Sequence, residues 1–208
     1  MMRAMEFQEV VRRRRMVRSF TGEPLPPRVV DRMLANAVRA PSAGFSQGWA
    51  FLVLDTPADV ARFWESTFPP AEEGGGRDGF RWQGLFRAPA LIVPLSHKQA
   101  YLDRYAEADK GWVDKAESRW PVPYWDVDTG MAALLVLLTA VDEGLGALFF
   151  GIFPERMAAF REAFGVPEAY VPIGAIAVGW RDPAGDEPSP SLRRGRRADE
   201  EVVHRGRW

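Results

Sequence analysis

Two clusters of arginine are the residues of this chain with the clearest capacity for chemistry. The first occupies residues 12–18 and the second residues 193–197, near opposite ends of the 208 residues. A guanidinium group keeps its charge at neutral pH, and its planar fork matches two oxygens of a phosphate. For either cluster alone, a solvated basic surface is the more common explanation. If the fold brings both clusters together, they predict a phosphate site.

The usual catalytic groups are scarce. The chain has no cysteine, and its two histidines, His97 and His204, are too few for a metal cluster or for an obvious Ser-His-Asp triad. Gly144-Leu145-Gly146 lacks the third glycine of a dinucleotide fingerprint, and residues 74–76 lack the lysine of a phosphate loop, so both are interpreted as turns. An enzyme with this inventory is expected to borrow its reactive group from a cofactor.

Composition and charge favour some partners and compartments over others. Lys+Arg 27 against Asp+Glu 28 gives a net charge of -1, which provides no overall attraction to nucleic acid or to an acidic membrane. The absence of cysteine is compatible with a reducing compartment, and the first residues show no signal-peptide pattern, so cytoplasmic localisation is expected. The longest apolar run, residues 131–141, is shorter than the ~20 residues that a bilayer requires. It predicts a buried helix, not a membrane span.

Hydrophobic periodicity predicts helices that alternate with about four strands in one layered α+β or α/β domain over 1–208. A first helix is predicted to begin at Glu6. Three further helices are predicted at 27–40, at 126–143 with an aspartate cap, and at 154–164. Buried strands are predicted at 50–54, 90–95 and 171–180, and an extended run at 145–153. Residues 58–125 are interpreted as a variable, substrate-facing region, with Trp64 and Trp82 in the core, and residues 181–208 as an irregular C-terminal arm.

Three motifs occur in the order of a known family. Arg14-Arg15-Met16-Val17-Arg18-Ser19-Phe20 resembles the opening Arg-Arg-Ser-x-Arg-x-Phe of the FMN-dependent nitroreductase family. The turn at 40–49, Ala-Pro-Ser-Ala-Gly-Phe-Ser-Gln-Gly-Trp, is similar to that family's Ala-Pro-Ser-x-x-Asn-x-Gln-Pro-Trp, and residues 144–146 match its Gly-Leu-Gly element. The resemblance extends from about residue 6 to 205 and is thinnest between 58 and 125.

This resemblance implies a fold, a cofactor and a reaction. The fold is α+β with α/β/α layers, in which helices flank a central, mostly antiparallel sheet, and two chains form an intertwined homodimer. The cofactor is FMN, which receives hydride from NAD(P)H and passes it through flavin N5 to a small nitroaromatic, quinone or enone acceptor in a ping-pong exchange. The flavin supplies the redox chemistry, so no catalytic side chain is required.

The resemblance also assigns site residues. Four arginines are expected to bind the FMN phosphate, ribityl chain and pyrimidine edge: Arg14, Arg18, Arg194 and Arg196. Arg15 and Met16 are assigned to the same wall of the FMN site as these arginines. Phe150 and Gly151 are assigned to the central ring of the flavin. A turn contributed by the partner chain is expected to contact the flavin. It consists of Pro41, Ser42, Ala43, Gly44, Phe45 and Gln47. A substrate pocket under a tryptophan lid is assigned to Phe45, Trp112, Trp120 and Trp125.

Three positions depart from the family pattern and keep alternatives open. Met16 stands where serine is usual, Phe45 where asparagine is usual, and Gly48 where proline is usual. The Gly-Phe-x-Gln turn resembles the branch that fragments its own flavin to dimethylbenzimidazole, although that branch has aspartate at the position of Met16. A non-catalytic flavin-binding sensor and a deazaflavin (F420) cofactor are the further alternatives.

Overall fold

The computed structural model describes residues 5–68 and 76–208. The α-helices are α1 Phe7–Arg13, α2 Pro27–Ala37, α3 Pro57–Thr67, α4 Lys98–Ala106, α5 Tyr124–Asp142, α6 Met157–Phe164 and α7 Asp199–Val202. The strands are β1 Trp49–Leu54, β2 Ala90–Ser96, β3 Gly146–Phe150, β4 Val171–Pro172 and β5 Ala175–Gly179. The triglycine turn predicted at 74–76 lies mainly outside the described residues.

The five strands form one sheet with the order β1-β2-β5-β3, and β4 pairs with β2. All of these strand pairs are antiparallel. Every residue of β2 is buried because it pairs with strands on both sides. Strand β1 was predicted to be buried, but it is an edge strand and most of its residues are only half-buried.

Helices cover both faces of the sheet. Alternate strand residues, with Leu91 and Ala177 on one face and Ile92 and Ile176 on the other, enter two separate cores. The first core packs against α3 and α6, and the second packs against α2 and α5. The predicted α+β fold with three layers and a mostly antiparallel sheet is therefore confirmed.

Helix α5 is the most apolar element of the fold. It has 19 residues and meets the length and hydropathy of a membrane span, and 44% of that window is buried inside the domain. Core helices of folded domains meet the same criterion. The helix was predicted to begin at an aspartate cap near 126–128, but it begins at Tyr124, and Asp128 is a buried residue within it.

Three other element boundaries differ from the predictions. Helix α2 ends at Ala37, three residues before the predicted end. The predicted strand at 171–180 is divided into β4 and β5, because Gly174 has a φ of +154°, outside the range that a strand uses. Of the extended run predicted at 145–153, only Gly146–Phe150 pairs in the sheet.

Candidate functional site

The first arginine cluster lines a cavity of about 440 Å³ at the start of β3. Its wall contains Arg12, Arg13, Arg14, Arg15 and Arg181, together with the backbone of Gly144–Gly146. We call it the arginine cavity. Arg12 and Arg13 are already paired with Glu9, and Arg181 is paired with Asp186 at 2.7 Å. Arg14 and Arg15 have no carboxylate partner among the described residues, so their charge is available to an anion.

A second cavity, of about 370 Å³, lies at the end of β3. It is lined by aromatic and apolar side chains, by Arg18 and by the backbone around Gly151; the aromatic members are Phe68, Phe80, Trp82, Phe149, Phe150 and Phe153. We call it the aromatic cavity. The guanidinium of Arg18 lies 4.9 Å from the centre of the Trp82 ring, a cation–π distance. The buried Nε1 of Trp82 has no hydrogen-bond partner in the described chain.

An extended segment that follows α1 connects the two cavities. Met16 bridges Ala147 of β3 in parallel, and the N–H of Val17 donates to the carbonyl of Ala147 at 3.0 Å. Val17 is buried, whereas Arg14, Met16 and Arg18 on either side of it are half-buried. The motif presents Arg14 to the arginine cavity and Arg18 to the aromatic cavity.

Asp186 fastens this segment to the start of the C-terminal arm. Its carboxylate accepts from the backbone N–H of Arg18 at 2.8 Å and from Arg181 Nε at 2.7 Å, and its side chain is only 7% exposed. Nearby, the N–H of Asp182 donates to the carbonyl of Ser19 at 2.9 Å. Residues from opposite ends of the sequence thus meet at the cavity walls.

The second arginine cluster is placed differently from the first. Arg194 ends a 3₁₀ turn that begins at Pro190, and both it and Arg196 are exposed and line neither cavity. Ser189 and Ser191 of the same segment line the aromatic cavity beside Arg18. Within one chain the arm reaches the site, but the structure does not bring Arg194 and Arg196 together with Arg14.

The turn at 41–47 has an unusual backbone. Gly44, Phe45 and Gln47 have φ values of 62°, 57° and 50°, all in the left-handed region. For Phe45 and Gln47 this conformation costs roughly 1–2 kcal/mol each. The Phe45 side chain is nevertheless 74% exposed, so it gains little from burial within the chain. A strained and exposed aromatic residue is a reason to look for a ligand or partner at this position.

Residues of helices α4 and α5 hold the turn through hydrogen bonds. Asp128 of α5 is 2% exposed, and its Oδ2 accepts from the N–H of Ala43 and from the hydroxyl of Tyr101, both at 2.8 Å. Arg104 Nε donates to the carbonyl of Gly44 at 2.9 Å. Burial, followed by the hydrogen bond to Asp128, raises the pKa of Tyr101 well above its ordinary value. The Tyr101 hydroxyl therefore stays protonated and remains a donor to Asp128 across the neutral range.

The predicted substrate-pocket tryptophans pack behind this turn. Trp120 contacts the rings of Tyr101 and Tyr105 at centroid distances of 5.9 and 4.6 Å, and Trp112 contacts Tyr105 at 4.9 Å. Trp125 is only 8% exposed, so it supports the cluster from the interior and does not face a ligand as the lid model expects. The lid role of Trp112 and Trp120 stays a prediction.

Within one chain the turn and the two cavities lie on opposite edges of the sheet. The turn leads into β1, whereas the cavities follow β3, and the order β1-β2-β5-β3 places three strand spacings between them. At about 4.8 Å per spacing, the separation is roughly 14 Å. The predicted site residues thus form two groups: Arg14, Arg15, Met16, Arg18, Phe150 and Gly151 in one, and Pro41–Phe45 with Gln47 in the other.

Three residues at the site were not predicted from the sequence. Trp82 was expected in the core, but it is half-buried, and the guanidinium groups of Arg18 and Arg81 lie 4.9 and 5.6 Å from its ring centre. Trp64, by contrast, is in the core as predicted. Asp128 and Asp186 gave no signal of their role, because each contacts a segment at least 85 residues away in sequence.

Comparison with known proteins identifies the family. The model of the nitroreductase family matches residues 11–180. The chain belongs to the nitroreductase family. A protein of Archaeoglobus fulgidus, provisionally named an NADH dehydrogenase/NAD(P)H nitroreductase, is 26% identical over 98% of this chain and 99% of its own length. An NADPH-dependent oxidoreductase of Staphylococcus aureus is 25% identical over 86% of this chain and 65% of its own length.

Solved nitroreductase structures share the fold. The crystal structure of a provisionally named nitroreductase of Exiguobacterium sibiricum, which contains FMN, superposes with a TM-score of 0.74 at 20% identity and covers 98% of each chain. A nitroreductase family protein from Clostridium difficile superposes with a TM-score of 0.69 at 19% identity, with 98% of this chain and 100% of that chain covered. The nitroreductase-like fold expected from the motifs is confirmed.

Proposed function

We propose that this nitroreductase-family protein is an FMN-dependent oxidoreductase that takes hydride from NAD(P)H and delivers it to a small electrophilic acceptor. The observation that carries the proposal is the pair of cavities along β3, one cationic and one aromatic. FMN combines an anionic phosphate with a flat ring system, and the two cavities offer matching surroundings for these parts.

The residues present fit FMN on chemical grounds. Arg14 and Arg15 leave cationic charge free in the arginine cavity, as a phosphate requires. In the aromatic cavity, Trp82 Nε1 is a buried donor without a partner among residues 5–68 and 76–208, and a buried donor normally has one. A cofactor with ring carbonyl and ring nitrogen acceptors is the kind of ligand that satisfies such a donor.

The roles of the protein groups follow from their surroundings. Arg14, Arg15 and Arg18 are proposed to bind the phosphate and the polar edge, with Arg194 and Arg196 contributed by the exposed arm. Met16, Phe150 and Gly151 would line the ring, and the phenylalanines of the aromatic cavity exclude water from it. When bound, FMN supplies the hydride-transfer chemistry, and the protein supplies orientation and electrostatics. The donor is proposed from the names of the Archaeoglobus and Staphylococcus relatives.

The turn at 41–47 is proposed to meet the cofactor of a second chain. The separation of roughly 14 Å between the sheet edges leaves this turn away from its own cavities. A homodimer that places the turn of one chain opposite the aromatic cavity of the other brings both groups of predicted residues together. Pro41, Ser42, Ala43, Gly44, Phe45 and Gln47 would then complete the site.

Absorbance spectroscopy tests the proposal directly. Purified protein should be yellow, NADPH or NADH should bleach it, and menadione or nitrofurazone should restore the colour. Yellow protein that is inert to both donors and acceptors would instead indicate a flavin-binding sensor. Mass spectrometry of the released cofactor distinguishes FMN from a deazaflavin, and detection of dimethylbenzimidazole identifies flavin fragmentation.

A double variant tests the phosphate assignment. Arg14→Ala combined with Arg196→Ala should give colourless protein that remains folded and dimeric, because two phosphate contacts are lost while the core is untouched. The matched control is Arg28→Ala combined with Arg62→Ala, which removes the same charge at residues outside both cavities. The control should keep its flavin. Unchanged flavin content in the first double variant would show that the phosphate is bound elsewhere.

A further inference from the structure

The turn at 41–47 carries strain that its own sequence does not explain. Two residues other than glycine, Phe45 and Gln47, adopt left-handed backbone conformations within three positions. Internal hydrogen bonds, from Ser46 Oγ to the carbonyl of Ala43 and from the N–H of Gln47 to Ser42 Oγ, are ordinary for an exposed turn. Something outside the turn must therefore select this conformation over relaxed ones.

Asp128 provides the contact from outside that lies deepest in the molecule. Its buried Oδ2 receives two hydrogen bonds of 2.8 Å, one from the Ala43 N–H at the start of the turn and one from the Tyr101 hydroxyl. The ring of Tyr101 in turn packs against Gly48 at the end of the turn. The carboxylate thus connects, directly or through Tyr101, to both ends of the turn.

Aromatic packing prevents this arrangement from shifting. The Tyr105 ring closes over Gly44, where an added Cβ would lie 2.6 Å from Cε2. The Tyr101 ring closes over Gly48 in the same way, at 2.4 Å. Trp120 packs edge-on against both tyrosines. Trp120 therefore supports α4, and α4 supports the turn.

We infer that Asp128 is a positioning residue, which acts with Tyr101 to fix the Phe45 side chain where an acceptor binds and so contributes to selection of flat aromatic acceptors. This inference rests on the proposed function, because only a second chain's cofactor gives Phe45 an acceptor to face. Asp128 itself is buried and touches neither cofactor nor acceptor. Its role is to hold an exposed aromatic face in one place.

The test uses the FMN-loaded protein with Asp128→Ala, Asp128→Asn and Tyr101→Phe. Hydrogen exchange of the backbone amides in residues 42–48 reports the turn without requiring activity. In Asp128→Ala, exchange there should rise at least about tenfold, and Asp128→Asn should recover part of the protection because its Oδ1 still accepts from Ala43. Tyr101→Phe keeps the ring over Gly48 and should give an intermediate effect, which keeps the inference testable if the alanine variant does not fold.

Acceptor kinetics provide the second measurement. In Asp128→Ala the KM for menadione should rise about tenfold with kcat within about twofold of wild type, because a displaced Phe45 loosens acceptor binding. Ferricyanide accepts electrons without stacking on an aromatic face, so its reduction rate per bound FMN should not change. The control variant Thr129→Val removes a neighbouring buried hydroxyl of α5 whose one hydrogen bond within the described part of the chain is to the carbonyl of Trp125, and it should change neither measurement.

The outcomes separate this inference from the proposed function. Unchanged exchange at 42–48, exchange that rises equally throughout α5, or an equal loss of rate with both acceptors would overturn the positioning role. Wild-type protein that binds FMN but reduces no acceptor would overturn the proposed function. In that case the exchange measurement alone still decides whether Asp128 fixes the turn.

Discussion

Gly48 stands where the family motif has proline, and its surroundings explain the exchange. The ring of Tyr101 lies so close that a Cβ on residue 48 would be 2.4 Å from Cε2 and 2.8 Å from the carbonyl oxygen of His97. Proline also carries a Cβ, so the same close contacts disfavour it at position 48. Glycine at 48 and tyrosine at 101 are therefore a matched pair in this chain.

Gly48→Ala should lower the free energy of unfolding by about 1–3 kcal/mol, because neither a backbone oxygen nor a packed ring can move away cheaply. Urea unfolding at fixed protein concentration measures the change. Gly79→Ala is the control, since an added Cβ there meets nothing within 4 Å, and its effect should stay within about 0.5 kcal/mol. Equal effects of the two substitutions would contradict the close packing of Tyr101 on the turn.

At the scale of elements, the segment from Arg14 to Phe20 behaves as an added strand whose position depends on Asp186. This carboxylate joins the Arg18 backbone to Arg181, and it is nearly buried. Hydrogen bonds to a charged group contribute about 1.5–3 kcal/mol each when the group is well placed. The segment that carries the predicted cofactor arginines is thus held by a residue outside the family motif.

Asp186→Ala should reduce stability by about 1.5–3 kcal/mol and leave the Arg18 N–H without its partner. Since this loosens the wall between the two cavities, FMN affinity should fall at least about tenfold, which corresponds to 1.4 kcal/mol. Flavin titration by fluorescence quenching and urea unfolding measure the two effects. The control Glu187→Ala removes an exposed ion pair with Arg81 at 3.6 Å. It should lower neither the stability nor the FMN affinity, because surface pairs contribute only about 0–1 kcal/mol. Wild-type flavin affinity in Asp186→Ala would show that Arg18 is held in place by other contacts.

The elements themselves were largely predictable, because their signals are local. The apolar run of β2 is bounded by turn residues, and α6 ends at Gly165, whose φ of 61° is a left-handed helix end that glycine allows. Edge position was not predictable: β1 has a run as apolar as β2, and only the strand order makes it half-buried.

Contacts between distant segments account for what the sequence did not predict. An aspartate before an apolar run is a usual helix cap, so the pattern predicts Asp126 or Asp128 as the cap. The helix instead begins at Tyr124, and the buried Asp128 accepts a hydrogen bond from Ala43. Similarly, nothing local in the sequence places Trp82 against Arg18. The motif arginines could be named in advance, whereas the residues that position them could not.

At the scale of the whole molecule, α5 leaves an apolar stripe uncovered. Val127 and Leu134 are 44% and 45% exposed, and their spacing of seven residues places them on one face of the helix. Phe7 and Val11 on the neighbouring helix α1 are also exposed. An apolar stripe on the central helix of a domain is typical of a subunit interface, and the proposed function places the turn at 41–47 against the cofactor of a second chain. One homodimer interface would satisfy both requirements.

Leu134→Lys should therefore convert a dimer into monomers and release the flavin, because an ammonium group cannot be buried in an apolar interface without a partner. Sedimentation velocity measures the mass, and absorbance of the same sample measures the flavin. Val113→Lys, which alters the most exposed valine of the tryptophan-rich region, should leave both unchanged. The dimer and the bound flavin are expected to be lost together, since each site would take its arginines from one chain and its turn from the other. A monomeric variant that kept its flavin would show that one chain suffices for binding, and that the turn at 41–47 is strained for another reason.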